Sequence, residues 1–133
     1  MKRKIAFMFA LMGVAVLFAG CSSVQTADSS KFNGQKITVL GDGVAHISGY
    51  SSGLYFLWIP LFVGSAENPD TIAFGEDSCN VNAVTKMVTA KAKEMNASAT
   101  VDLVSIANSV TLPVPIPFLF SWKTVTVSGN AVK

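Results

Sequence analysis

Histidine occurs once in this chain, at position 46, and cysteine twice, at 21 and 79. A Ser-His-Asp or Cys-His-Asn set therefore has only His46 for its base, and no motif sets a nucleophile beside it. A metal site would have to draw on His46, Cys79 and carboxylates such as Glu76 and Asp77. Those positions show no ligand spacing. No phosphate loop is present, because Gly41-Asp42-Gly43 lacks both the lysine of a P-loop and the third glycine of a dinucleotide fingerprint. Charged residues make up only 14% of the chain, and a near-neutral domain gives no electrostatic case for nucleic acid. No catalytic residue and no cofactor is expected.

What the chain does have is a distinctive start. Met1-Lys2-Arg3-Lys4 is followed by apolar residues from Ile5 to Phe18, then Ala19-Gly20-Cys21-Ser22-Ser23. A positive beginning, a short apolar run and small residues before a cleavage point make a secretory signal. The run is too short for the roughly 20 residues that span a bilayer as a helix. Small residues directly ahead of a cysteine resemble the signal of bacterial lipoproteins, with Phe18 where leucine is usual. That resemblance implies a cut before Cys21, lipid attachment at Cys21 and membrane anchoring in the cell envelope. Ser22, rather than Asp, follows the cysteine, which by the same resemblance implies the outer membrane in a two-membrane bacterium.

Removing residues 1–20 leaves seven basic against eight acidic residues, a net charge of about −1. The remaining length suits one domain, which can bury roughly 65% of its unfolded surface without metals or disulfides. With Cys21 consumed by lipid, Cys79 has no partner in the chain and is expected as a small buried apolar side chain.

Residues 21–35 are small and polar, without an apolar period, and read as a flexible tether. A single domain over 36–133 follows. Lys36 to Leu40 and Val44 to Tyr50 read as strands, the second ending at Ser51-Ser52-Gly53. Leu54 to Val63 is uncharged and rich in aromatic and β-branched residues, so it favours strand; Pro60 within it implies an edge, a bend or a strand end. A short strand around Thr71 to Phe74 follows. Val81, Val84, Val88, Ala92 and Met95 recur at spacings of three and four, one face of a helix over Asn80 to Met95. Ser78 or Asn80 would cap its start and Asn96 would stop it. Thr100 to Leu112 reads as a strand, with its alternation broken at Leu103-Val104 by a bulge or by burial on both faces. Phe118 to Ser128 is the last strand, with Val125 and Val127 on one side. The fold class is α+β: a small antiparallel sheet, one main helix packed on one face, and a C-terminal β-hairpin.

Two apolar segments contain proline, Leu54 to Val63 and Val114 to Trp122. Either could be core. The proline-rich hairpin end would stand at the surface, and Ile116, Phe118 and Phe120 are its candidate contact residues. An Ala- and Lys-rich helix leading to Asn96-Ala97-Ser98-Ala99-Thr100-Val101, with a terminal Val125-Thr126-Val127-Ser128-Gly129-Asn130-Ala131-Val132, resembles TRL-like lipoproteins and a bacterial family labelled heavy-metal-binding. Some members of the second family form rings, so the resemblance implies a homo-oligomer as one kind of assembly. The expected function is that of a non-enzymatic, membrane-anchored envelope lipoprotein that contacts itself or an envelope partner. The alternative is a small-ligand or metal binder using His46 and Cys79.

Overall fold

Two long strands, β2 (Gly43–Phe56) and β6 (Phe120–Val132), form the spine of the sheet in the computed structural model, which describes residues 20–38, 40–113 and 118–133. The other strands are β1 (Ser22–Asp28), β3 (Ile59–Gly64), β4 (Ile72–Phe74) and β5 (Ala99–Leu112); α1 is Val81–Glu94. Among the described residues the molecule is a small single α+β domain, a six-stranded antiparallel sheet with one main helix. The sheet order is β4-β3-β2-β6-β5, and β1 pairs with β2 on the same edge that β3 extends. β5 and β6 make the long C-terminal hairpin.

Alternation along the spine sorts side chains to two faces. Ala45, Ile47, Tyr55, Val125, Val127 and Ala131 point to the face covered by α1 and are buried there. The helix contributes Val84, Met87, Val88 and Ala92. Each large aliphatic side chain buried here stabilises the fold by roughly 1.5–3 kcal/mol relative to exposure. Gly49 lets the helix approach, since a Cβ there would sit 2.8 Å from a Val88 methyl. The Asn80 side chain accepts from Ala83 N at 2.9 Å at the start of α1, and Asn96 ends it in the left-handed region at φ 58°. Val81, expected on the buried face, is exposed at the first turn, and Met87 takes its place in the core.

Several other expectations need correction. Residues 22–28, read as tether, form β1, paired from Ser22 opposite Ser51 to Asp28 opposite Ala45. Their small side chains give no hydrophobic period, because the strand is held by its backbone ladder, with Val24 packed against the core. A 3₁₀ turn at Ser29–Lys31, capped by Asp28, follows it. Of Lys36 to Leu40, expected as a strand, the described residues 36–38 and 40 form none, and Leu40 N donates to Thr38 Oγ1 at 3.1 Å. β2 does not stop at Ser51-Ser52-Gly53 but runs through it. Leu54 to Val63 is not one strand but the end of β2, a turn at Leu57-Trp58 and the start of β3, with Pro60 opposite Tyr55 at a register shift. The break near Leu103-Val104 is a bulge between Val101 and Val104. β5 is exposed along most of its length.

Candidate functional site

Cys21 sits where three strands converge. Ser52 N donates to the Cys21 carbonyl at 2.8 Å, and Cys21 N donates to Ser52 Oγ at 3.1 Å. Ser22 is buried beside it and donates its hydroxyl to the Ser65 carbonyl. Asp70 N donates to the Ser22 carbonyl at 2.9 Å. The Cys21 thiol itself is exposed, 3.7 Å from Ser52 Oγ.

Small residues make this seat. A Cβ on Gly64 would meet the Cys21 carbonyl carbon at 2.2 Å, and one on Gly20 would meet the Phe62 and Ser52 carbonyl oxygens at 2.5 Å. A Cβ on Gly53 would sit 2.7 Å from a Val63 methyl. Gly20, Ser22, Ser51, Ser52, Gly53 and Gly64 thus allow a backbone approach that larger residues would block. The Ser51-Ser52-Gly53 run, which looks like a strand break, is a docking slot.

The face of the sheet opposite α1 has no helix on it among the described residues. Strand register lines up two apolar rows there. Phe74, Phe62, Leu54, Trp122 and Val110 form one row across β4, β3, β2, β6 and β5. Ile59, Phe56, Phe120 and Leu112 form the next. The Phe62 and Phe74 ring centroids are 5.5 Å apart and those of Phe56 and Phe120 5.3 Å, the tilted geometry that aromatic pairs favour. Phe74 is 72% exposed, and Trp58, in the turn beyond the second row, 76%. Of the expected contact residues, Phe118 is 83% exposed in the turn before β6, Phe120 is half-buried against Phe56, and Ile116 lies outside the described residues. Of the segment Leu54 to Val63, only Tyr55 and Val63 enter the core.

The opposite end of this face is polar. His46 Nδ1 lies 2.7 Å from Asn130 Oδ1. The Asn130 amide donates to Asp102 Oδ2 at 3.1 Å and to the Ile37 carbonyl at 3.3 Å. Cys79 lies on the other side of the sheet, 5% exposed, with its thiol donating to the Ser51 carbonyl at 3.5 Å. His46 and Cys79 therefore occupy opposite faces of β2, and the site that would use both does not form. Burial pushes the Cys79 thiol up to about 11, with the nearby Asp77 charge adding to it. Tyr55 donates to Asp77 Oδ1 at 2.5 Å, and the Lys123 ammonium sits 3.9 Å from the centre of its ring. Burial first, then the Asp77 contact, hold the Tyr55 hydroxyl protonated well above the ordinary phenol range. Among the described residues no group of three His, Cys, Asp or Glu side chains gathers as a metal cage. A shallow cleft between α1 and residues 66–70, lined by Val24, Glu67, Met87 and Lys91, includes neither His46 nor Cys79.

Sequence reasoning singled out Cys21 from its small neighbours and the apolar run before it. It missed the docking slot, whose signal was the surplus of Gly and Ser at 20–23, 51–53 and 64–65. No family model, curated protein or solved structure matches this chain.

Proposed function

We propose that the protein is a lipid-anchored component of a bacterial envelope, held by Cys21 and acting by contact rather than by catalysis. One observation carries the reading: the cysteine that ends the signal-like N-terminus is also the residue seated by backbone bonds on the sheet, with its thiol free. The seat suits the modified residue. A cysteine acylated on its nitrogen keeps one N–H, so the bond to Ser52 Oγ survives, and the sulfur points outward for a second chain. One acyl chain gives only reversible membrane binding, whereas two give a stable anchor. The residue order Cys21-Ser22 favours the outer membrane by resemblance to the sorting pattern of such lipoproteins. The exposed apolar rows supply a surface for contact.

Native mass spectrometry of the protein extracted from membranes tests contact against ligand binding. The account expects the polypeptide plus its acyl chains, alone or as an oligomer. A bound ion or small molecule that disappears in the His46→Ala variant would instead establish the ligand-binding alternative.

A further inference from the structure

We propose that the apolar half of the open sheet face is a membrane-contact surface, lying against the same bilayer that holds the Cys21 acyl chains. The proposal rests on the lipid-anchor reading and adds an orientation to it. Cys21 belongs to this face: it stands opposite Ser52, two positions along β2 from Leu54 in the first apolar row. Two residues of strand are about 7 Å, and a row across five strands spans about 20 Å. The anchor thus emerges at the margin of the apolar rows.

There is no slack to lift the domain away. The residues after Cys21 enter β1 at once, and the Cys21 backbone is bonded on both its N–H and its carbonyl. Gly20 fits between the Ser52 and Phe62 carbonyls. An acyl group replacing Gly20 on the Cys21 nitrogen would leave along that slot, beside Phe62 in the first row. Chains rooted there bring the rows to the lipid.

The chemistry of the surface fits a bilayer. Its nine row positions hold aliphatic and aromatic side chains and no charge. Trp58 and Phe118 project beyond the sheet end, where amphipathic and aromatic rings favour the headgroup boundary. The lysines Lys86, Lys91 and Lys93 are on α1, across the sheet, and would face water. A second copy stacked on this face would shut the acyl chains of both protomers inside a protein interface, away from the bilayer that must hold them. The bilayer is therefore the occupant.

Both tryptophans of the chain report on this surface, Trp122 within the first row and Trp58 at the rim. The test uses protein purified from membranes and reconstituted into phosphatidylcholine vesicles, with or without dibrominated acyl chains that quench tryptophan on contact. Trp58→Phe and Trp122→Phe variants separate the two signals. The expected result is loss of most emission from each tryptophan on the brominated vesicles, unchanged by high salt. Unquenched emission from acylated protein overturns the membrane surface, and does so equally if crosslinking then finds pairs joined through this face. Intact mass on the same preparation keeps the two ideas apart. Quenching without acylation would sink the anchor reading and leave the surface standing; absence of both would sink both.

Discussion

Cys21 and Ser52 hold each other through backbone and hydroxyl: the Ser52 amide donates to the Cys21 carbonyl at 2.8 Å, the Cys21 amide donates to the Ser52 hydroxyl at 3.1 Å, and that hydroxyl lies 3.3 Å from the Cys21 carbonyl oxygen. Removing the hydroxyl with Ser52→Ala should cost about 1 kcal/mol, the net worth of a typical hydrogen bond. Gly64→Ala drives a methyl into the Cys21 backbone, where 2.2 Å is available, and should cost about 1–3 kcal/mol as overpacking does. Denaturant melts give the costs, and amide exchange at Ser52 locates them. If both variants melt like wild type and the Ser52 amide stays protected, the seat is not what orders β1.

The helix register makes a second test. Val88 is fully buried, so Val88→Asp places an unpaired charge in the core and should cost several kcal/mol, on the order of 3–5. Lys86→Glu and Lys93→Glu change exposed positions and should move stability by less than about 0.5 kcal/mol. A reversed ranking in urea melts would mean that α1 presents a different face to the sheet.

Alkaline pH should weaken the fold through Cys79. Its folded value of about 11 lies above the ordinary value of 9.0, so the native state keeps a proton that the unfolded chain gives up. Stability therefore falls as pH rises from about 9 towards 11, because there the unfolded state binds fewer protons. Tyr55, whose hydroxyl is also held protonated, extends the loss above pH 10. Cys79→Ala should flatten the first part of this slope. Iodoacetamide should label Cys79 slowly at neutral pH in the native protein and rapidly after unfolding. Fast native labelling at neutral pH would contradict the burial.

Helix, hairpin and bulge were legible because each writes a pattern into the sequence. Val84, Val88 and Ala92 keep helical spacing, Val125 and Val127 alternate, and the bulge breaks alternation at Leu103-Val104. β1 was not legible, since Ser22, Ser23 and Thr26 contribute backbone bonds and small volume rather than apolar area. Ser51-Ser52-Gly53 was misread for the same reason: small residues signal a turn in solvent and a close approach in a sheet, and only the partner strands distinguish the two. Cys21 was legible as an anchor candidate, whereas its seat needed Gly64, 43 residues away in sequence. His46 and Cys79 are kept apart because His46 is exposed on the open face of β2, whereas Cys79, in the segment before α1, is buried in the core on the other face.

Phe118 separates contact from folding. It adopts φ 68°, a region costly for a bulky residue, and it is exposed. Phe118→Gly should therefore keep or slightly raise stability, by about 0–1 kcal/mol, while removing the apolar tip. Phe120→Asp disturbs the Phe56 ring contact and should destabilise by about 1–3 kcal/mol. If the turn takes part in contact, Phe118→Gly weakens association with membranes or partner without lowering the melting temperature. A lowered melting temperature would show instead that the ring supports the fold.

The most direct measurement is the identity of the mature N-terminus in cells fed a labelled fatty acid. The account predicts that wild-type protein begins at Cys21, carries acyl label there, and loses both label and normal cleavage in Cys21→Ser. Fractionation alone does not decide, because an uncut precursor would still be held by the apolar run from Ile5 to Phe18. A wild-type protein that takes up no label and whose N-terminus is any residue other than Cys21 would contradict the account at its root.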